Sequence, residues 1–154
     1  AELEKSFHVT VVTQNIDNLH ERAGSSHIIH LHGELTKVCS SRDPHNPHYI
    51  KELKPEEYEV KMGDKAGDGT QLRPFIVWFG EAVPEIETAI QYVEKADIFV
   101  IIGTSLNVYP AAGFINYFKG SKLVIINKAA TSADKNADLV ISEPIGEVLG
   151  SLKI

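Results

Sequence analysis

Apolar residues recur along the chain in short unbroken runs separated by polar, glycine-containing stretches. VTVV at 9–12, IVWF at 76–79, IFVII at 98–102, LVII at 123–126 and LVI at 139–141 each have strand length. Most are continuous rather than alternating, which is the pattern of strands covered on both faces. Between them the period changes. PEIETAIQYVEKA places Ile86, Ile90 and Val93 on one helical face, with Pro84 near the start. PAAGFINYFKG groups Phe114, Ile115 and Phe118 and stops at Gly120, while EPIGEVLGSL spaces Ile145, Val148, Leu149 and Leu152 at helical intervals. Strands alternating with helices predict an α/β fold with a doubly wound, mostly parallel sheet.

One segment breaks this rhythm. From Cys39 to Gln71 the chain is polar, rich in Pro, Gly and charge, and KMGDKAGDGT alone carries three glycines. Too little apolar surface is available there for a core of its own, so the segment reads as an excursion from the sheet, a small module or a mobile flap. The chain has 154 residues, about one domain's worth, and 43% hydrophobic residues suffice for a core. Fifteen Lys and Arg against 21 Asp and Glu give a formal net charge of -6. That balance, without any basic run, argues against nucleic-acid binding driven by charge. No signal peptide and no apolar run of transmembrane length is visible, so no membrane partner is expected. A single cysteine, Cys39, excludes a disulfide within the chain and fits a reducing compartment, most simply the cytoplasm.

In open α/β sheets, ligands bind beyond the carboxyl ends of the strands. Four predicted strand ends carry small or hydrogen-bonding residues. Thr13-Gln14-Asn15-Ile16-Asp17 follows VTVV, Gly103-Thr104-Ser105 follows IFVII, Asn127-Lys128 follows LVII, and Ser142-Glu143-Pro144-Ile145 follows LVI. This is the layout of a nucleotide or dinucleotide site. Gly103 permits close backbone approach, and Thr104 and Ser105 can donate to phosphate. The carboxamides of Gln14 and Asn15 can pair with ribose hydroxyls. The same residues are also ordinary turn formers. His30 and His32 flank Leu31, and strand alternation would turn both rings to one face. Either imidazole is a candidate general base, and spacing alone does not choose between a catalytic and a structural role.

TQNIDNLHERAG, then LHGEL, RPFIVWFGE and GTSLNVYPAAGF, in that order, resemble the core of the sirtuins, the NAD-dependent protein lysine deacylases. The resemblance runs from about Val9 to about Val148, and HERAG and VYPAAGF are most similar to the bacterial branch. It implies a Rossmann-like NAD-binding core at 1–38 and 73–154, interrupted by the inserted module at 39–72. It implies that Gln14, Asn15, Ile16 and Asp17 hold the nicotinamide end of NAD and its ribose, and that His32, not His30, is the catalytic histidine. Gly103, Thr104 and Ser105 match phosphate and ribose contacts, Asn127 and Lys128 the adenosine ribose loop, and Ile145 the residue against adenine. Val77, Trp78, Phe79, Gly80 and Glu81 match the strip that pairs with the substrate peptide, with Asn107, Val108 and Tyr109 across the cleft. Trp78 and Phe79 suit a tunnel for an acyl-lysine stem, though core packing accounts for either ring equally well. The implied partners are acylated-lysine proteins. In the implied reaction the acyl oxygen displaces nicotinamide to form an imidate, His32 accepts a proton from a ribose hydroxyl that attacks the imidate carbon, and water finishes the reaction, giving free lysine and O-acyl-ADP-ribose.

Two departures from the family pattern stand out. Family members usually hold a structural zinc with two Cys-x-x-Cys pairs in the excursion, whereas Cys39 is the only cysteine here. Cys39, Asp43, His45 and His48 offer ligand chemistry, but without paired spacing the expectation is that no metal is bound. The family also opens with a strand and glycine-rich turn for the pyrophosphate. Neither precedes VTVV, and AELEKSFH reads as the end of a helix. The expectation is a truncated catalytic core, inactive alone, with an exposed sheet edge through which it could self-associate. The competing readings are a module that binds NAD or ADP-ribose without turnover, and a protein ADP-ribosyltransferase.

Overall fold

A computed structural model describes residues 1–54, 56–106 and 109–152. They form two compact units, Ala1–Glu85 and Ile86–Ile154.

In the first unit, β1 (Val11–Thr13) and β2 (Ile28–His30) pair in parallel, joined through the single-turn helix α1 (Leu19–Arg22). The Thr13–Asp17 segment leaves β1 at the same level as His30, because Thr13 is in register with His30. Asp17 Oδ1 accepts the Leu19 N–H at 3.0 Å and so helps start α1. Leu31 is fully buried and Gly33 opens β3 (Gly33–Ser40), which pairs antiparallel with β4 (Lys51–Glu52) and β5 (Leu72–Ile76). Gly33 has a φ of +77°, and a Cβ there would lie 2.2 Å from the Phe75 carbonyl oxygen. Only glycine lets the two strands close at this point.

The Cys39–Gln71 segment is bonded to this sheet at both ends. Val38, Cys39 and Ser40 are fully buried. The Ser40 hydroxyl donates to Asp68 at 2.6 Å, meets Thr70 at 3.0 Å, and accepts the N–H groups of Arg42 and Asp43. Asp68 also accepts from the Thr70 hydroxyl at 2.7 Å, and these bonds hold its carboxyl down to about 2. The segment thus closes on a hydrogen-bonded staple. Cys39 Sγ points at the Pro74 carbonyl at 3.7 Å, and burial pushes its thiol up.

The IVWF strand expected at 76–79 is a correction: β5 ends at Ile76. Beyond it the Val77 N–H turns to the His32 carbonyl at 2.9 Å and Trp78–Glu81 closes a turn, so the run is apolar but not extended. The VTVV run begins its pairing only at Val11.

The second unit is a three-stranded parallel sheet in the order β6 (Ile98–Ile102), β7 (Lys122–Ile126), β8 (Leu139–Ile141), with α2 (Ile86–Lys95) before it and α3 (Ile145–Gly150) after it. Ile101, Leu123, Ile125 and Ala133 form its core, covered by Phe99, Ile115 and Phe118. Each buried Ile or Leu of this core contributes roughly 1.5–3 kcal/mol. Helix α2 buries Ala89 and Val93, one turn apart on the expected face. The helix expected over PAAGFINYFKG is instead a 3-10 turn, Ala111–Asn116, which still buries Phe114. Among the described residues no helix is long and apolar enough to cross a membrane.

Candidate functional site

The predicted site residues fall into two groups, one on each unit. On the first, the polar loop after β1 meets the two histidines. His32 is half-buried and its Nδ1 lies 3.1 Å from the Gln14 carbonyl oxygen. A carbonyl only accepts, so Nδ1 carries the proton and Nε2 of the neutral ring keeps its lone pair. His30 differs. Its Nε2 lies 2.7 Å from the Glu21 carboxylate and its Nδ1 3.4 Å from the Asn15 carbonyl. Both ring nitrogens of His30 already face protein acceptors, so neither stands open to a substrate hydroxyl. Geometry therefore separates two imidazoles that spacing left equivalent.

Gln14 Nε2 is buried without a hydrogen-bond partner among the described residues. Such an orphaned donor costs about 1–3 kcal/mol unless a ligand completes it. Asn15 is exposed, while Ile16 and Asp17 are half-buried. The Asn15 N–H is held by the Thr13 hydroxyl at 3.1 Å, and the Ile16 carbonyl accepts the Leu35 N–H at 2.8 Å. The loop is thus pinned at both ends.

On the turn after β5, Val77 is half-buried, whereas Trp78, Phe79 and Gly80 are exposed, Phe79 fully so. Glu81 is bound by Arg73, and that pairing holds its carboxyl at about 2.

On the second unit, Gly103, Asn127, Lys128 and Ile145 line one cavity of about 310 Å³. Ile126, Glu143, Pro144 and Gly146 complete its wall, although the motif assigned only Ile145 from the last strand end. Gly103 has a φ of +61° and its N–H donates to the Ile126 carbonyl at 3.0 Å, which places its backbone at the cavity. Asn127 is tied by its N–H to Ile141 and by Nδ2 to the Ala129 carbonyl at 2.7 Å. Thr104 turns its hydroxyl to the Leu106 N–H, and neither it nor the exposed Ser105 lines the cavity. Tyr109 is exposed, while Asn107 and Val108 lie outside the described residues.

Cys39, Asp43, His45 and His48 do not gather into a ligand cluster. Among the described residues the one group of three within ligand reach is Glu21, His30 and Glu34. Its members already pair, His30 with Glu21 and Glu34 with Lys37.

Residues 1–110 match the family model of the Sir2 family. The chain belongs to the Sir2 family. Over 128 residues it is 84% identical to an NAD-dependent protein deacylase of Bacteroides thetaiotaomicron, covering 82% of the chain and 55% of that protein. A solved Sir2 homologue in complex with NAD superposes with a TM-score of 0.82 at 36% identity, over 97% of the chain and 59% of that structure. A Sir2 structure holding 2'-O-acetyl-ADP-ribose and a deacetylated peptide gives 0.79 at 34%, over 96% and 65%. The sirtuin fold, an α/β fold with a Rossmann-like parallel sheet, is thereby shown. The chain spans about half the length of the curated relatives it matches.

Proposed function

We propose that this sirtuin chain carries catalytic and binding elements of an NAD-dependent protein lysine deacylase. The observation that carries the reading is His32, whose Nδ1 is fixed by the Gln14 carbonyl so that Nε2 is the free base. Bound NAD would supply a ribose carbon activated by its nicotinamide leaving group. The orphaned Gln14 Nε2 and the cavity lined by Gly103, Asn127, Lys128 and Ile145 fit such a group, the former through a hydrogen bond at its nicotinamide end. His32 Nε2 would accept a ribose hydroxyl proton, and Gln14, Asn15 and Asp17 would orient the ribose and exclude water. Lys128 would add positive charge toward the nucleotide.

The protein substrates carry acylated lysine. The solved Sir2 structures bound to acetylated or deacetylated peptide support this reading. Exposed Trp78 and Phe79 supply apolar surface for the lysine stem, with Val77, Gly80, Tyr109 and, by motif alone, Asn107 and Val108 beside the peptide. Thr104 and Ser105 keep the phosphate role given by their motif. We further read residues 39–72 as an inserted module closed by the Ser40–Asp68–Thr70 staple and independent of metal. The single cysteine supports a cytoplasmic location. Half-exposed Ile98 and Val100 on β6 support self-association.

The test is nicotinamide release from NAD by the full-length gene product, with acetyl-lysine and acidic acyl-lysine peptides. Turnover that vanishes in His32→Ala is expected. An inert wild-type protein that still binds ADP-ribose would favour a binding module, and mass gain on a target protein would favour ADP-ribosyl transfer.

A further inference from the structure

Arg73 and Glu81 lie on either side of the exposed aromatic turn and bond within it, with Arg73 Nε alone buried and without a hydrogen-bond partner among the described residues. The guanidinium grips the carboxylate as a fork, Nη1 to Oε1 at 2.6 Å and Nη2 to Oε2 at 2.7 Å. Nη2 also donates to the Ile76 carbonyl at 2.8 Å. Glu81 Oε2 accepts the Trp78 N–H at 2.9 Å, and the Glu81 N–H returns to the Trp78 carbonyl at 3.0 Å. The Trp78 ring stands 6.0 Å from the guanidinium carbon. One ion pair therefore fixes both ends of Ile76–Glu81. The pair is largely covered, with 18% and 32% of the two side chains exposed, whereas Phe79 between them is fully exposed.

This arrangement is unlike an ordinary surface salt bridge, which orders little and contributes little. A turn presenting two aromatic rings to solvent gains almost nothing from burial and would sample many conformations. Here it is held from behind by five directed bonds. The Phe79 and Gly80 N–H groups have no hydrogen-bond partner among the described residues, so they remain available to an extended peptide. The turn also starts at Val77, whose N–H bonds the carbonyl of His32. Holding the strip rigid removes an ordering cost from peptide binding.

We propose that Arg73 and Glu81 are positioning residues that preset the acyl-peptide strip, so that affinity for the acylated peptide depends on their fork while affinity for NAD does not. The proposal rests on the deacylase reading. It gives Glu81 a role behind the strip rather than in contact with substrate. Lysine cannot replace Arg73, because a single ammonium cannot hold both carboxylate oxygens and the Ile76 carbonyl in one plane.

The experiment compares the full-length protein with Arg73→Lys, Glu81→Gln and the milder Glu81→Asp. Steady-state kinetics vary peptide and NAD separately, and hydrogen exchange by mass spectrometry follows the 76–81 segment. In Arg73→Lys and Glu81→Gln the peptide KM is expected to rise about tenfold, with kcat and the NAD KM within about twofold, and the segment to exchange about tenfold faster. Glu81→Asp, which keeps the charge, should fall between them and wild type. Unchanged peptide KM in well-folded variants overturns the proposal, as does an equal rise in both KM values. If the wild-type protein turns over no acylated peptide, the deacylase reading fails by itself. The exchange data then judge the fork, and unchanged exchange at 76–81 overturns it.

Discussion

The two units place their polar side chains differently. In the first, polar groups bond to one another: Arg73 to Glu81, Ser40 to Asp68 and Thr70, His30 to Glu21. In the second, the core is aliphatic and built on three parallel strands, beside fewer polar ties such as Asp134 with Thr131 and Asp138 with the Leu123 N–H, and the residues at the strand ends surround an open cavity. A base, a turn or a peptide strip works only in one geometry, so its neighbours must constrain it in direction, which hydrogen bonds do. A nucleotide pocket needs space and a few groups at its rim, which a stiff apolar sheet supplies through its loops. On the reading proposed above, the first unit holds the catalytic base and the peptide strip, and the second a nucleotide cavity.

The division can be broken most sharply at His32. Replacing it with Ala should lower acyl-lysine turnover by roughly 10²–10⁴-fold. ADP-ribose affinity, measured by calorimetry, should stay within about twofold, since the cavity of the second unit does not use His32. Equal losses of both would dissolve the distinction between the units.

Next in size is Gly33→Ala. The left-handed backbone alone costs roughly 1–3 kcal/mol. The 2.2 Å approach to the Phe75 carbonyl adds a clash that β3 and β5 can relieve only by parting. The midpoint of chemical unfolding should drop accordingly, and a midpoint at the wild-type value would show that this crossing is not tight.

A smaller effect is a dependence on pH, which involves the first unit through Asp68 and Glu81 and the second through Asp138, held low by the Leu123 N–H. Asp68 and Glu81 of the first unit both have folded carboxyl values near 2, below the ordinary carboxylate range. A depressed folded value means that the contribution is fully present above the unfolded value, near 4, and is lost as pH falls through the folded value. Stability should therefore decline between about pH 4.5 and pH 2, and Glu81→Gln should flatten part of that decline. Thermal melts across this range check it. A decline of the same steepness in Glu81→Gln would remove Glu81 from the account.

The smallest expected change is at Ile145. Its side chain is half-buried at the cavity, so Ile145→Ala removes part of one apolar contact, about 1 kcal/mol. ADP-ribose binding should weaken about fivefold with acyl-peptide binding unchanged. A larger effect on the peptide would move Ile145 out of the nucleotide pocket.

How much was legible in the chain followed how local the signal was. IFVII and LVI coincide with β6 and β8, and LVII lies within β7, because an unbroken apolar run specifies a strand without help from distant residues; burial on both faces did not follow, since Ile98, Val100 and Ile102 of β6 and Leu139 and Val140 of β8 are exposed. The strand ends then fell where the polar residues were read, and Gly103, Asn127, Lys128 and Ile145 do share one cavity. Strand β5 was misplaced because Arg73 and Pro74 interrupt its pattern, and it is a strand only through pairing with β3. The Cys39–Gln71 excursion looked loose because its order rests on single polar atoms such as Ser40 Oγ, which no composition measure detects. Glu143 and Gly146 carried no signal beyond being near a strand end.

By itself the sequence determined the alternation of strands and helices, the polar strand ends and, through its ordered motifs, the family. These are properties of neighbouring residues, and local sterics and burial are enough to express them. The motif had already singled out His32, but only the tertiary structure decided which partner each histidine ring meets, where β5 stops and what holds the aromatic turn. The histidine and β5 depend on partners far along the chain, the Gln14 carbonyl for His32 and β3 for β5, while the turn depends on Arg73 folding back onto Glu81. A hydrogen bond is set by distance and angle, and neither exists until the chain has folded.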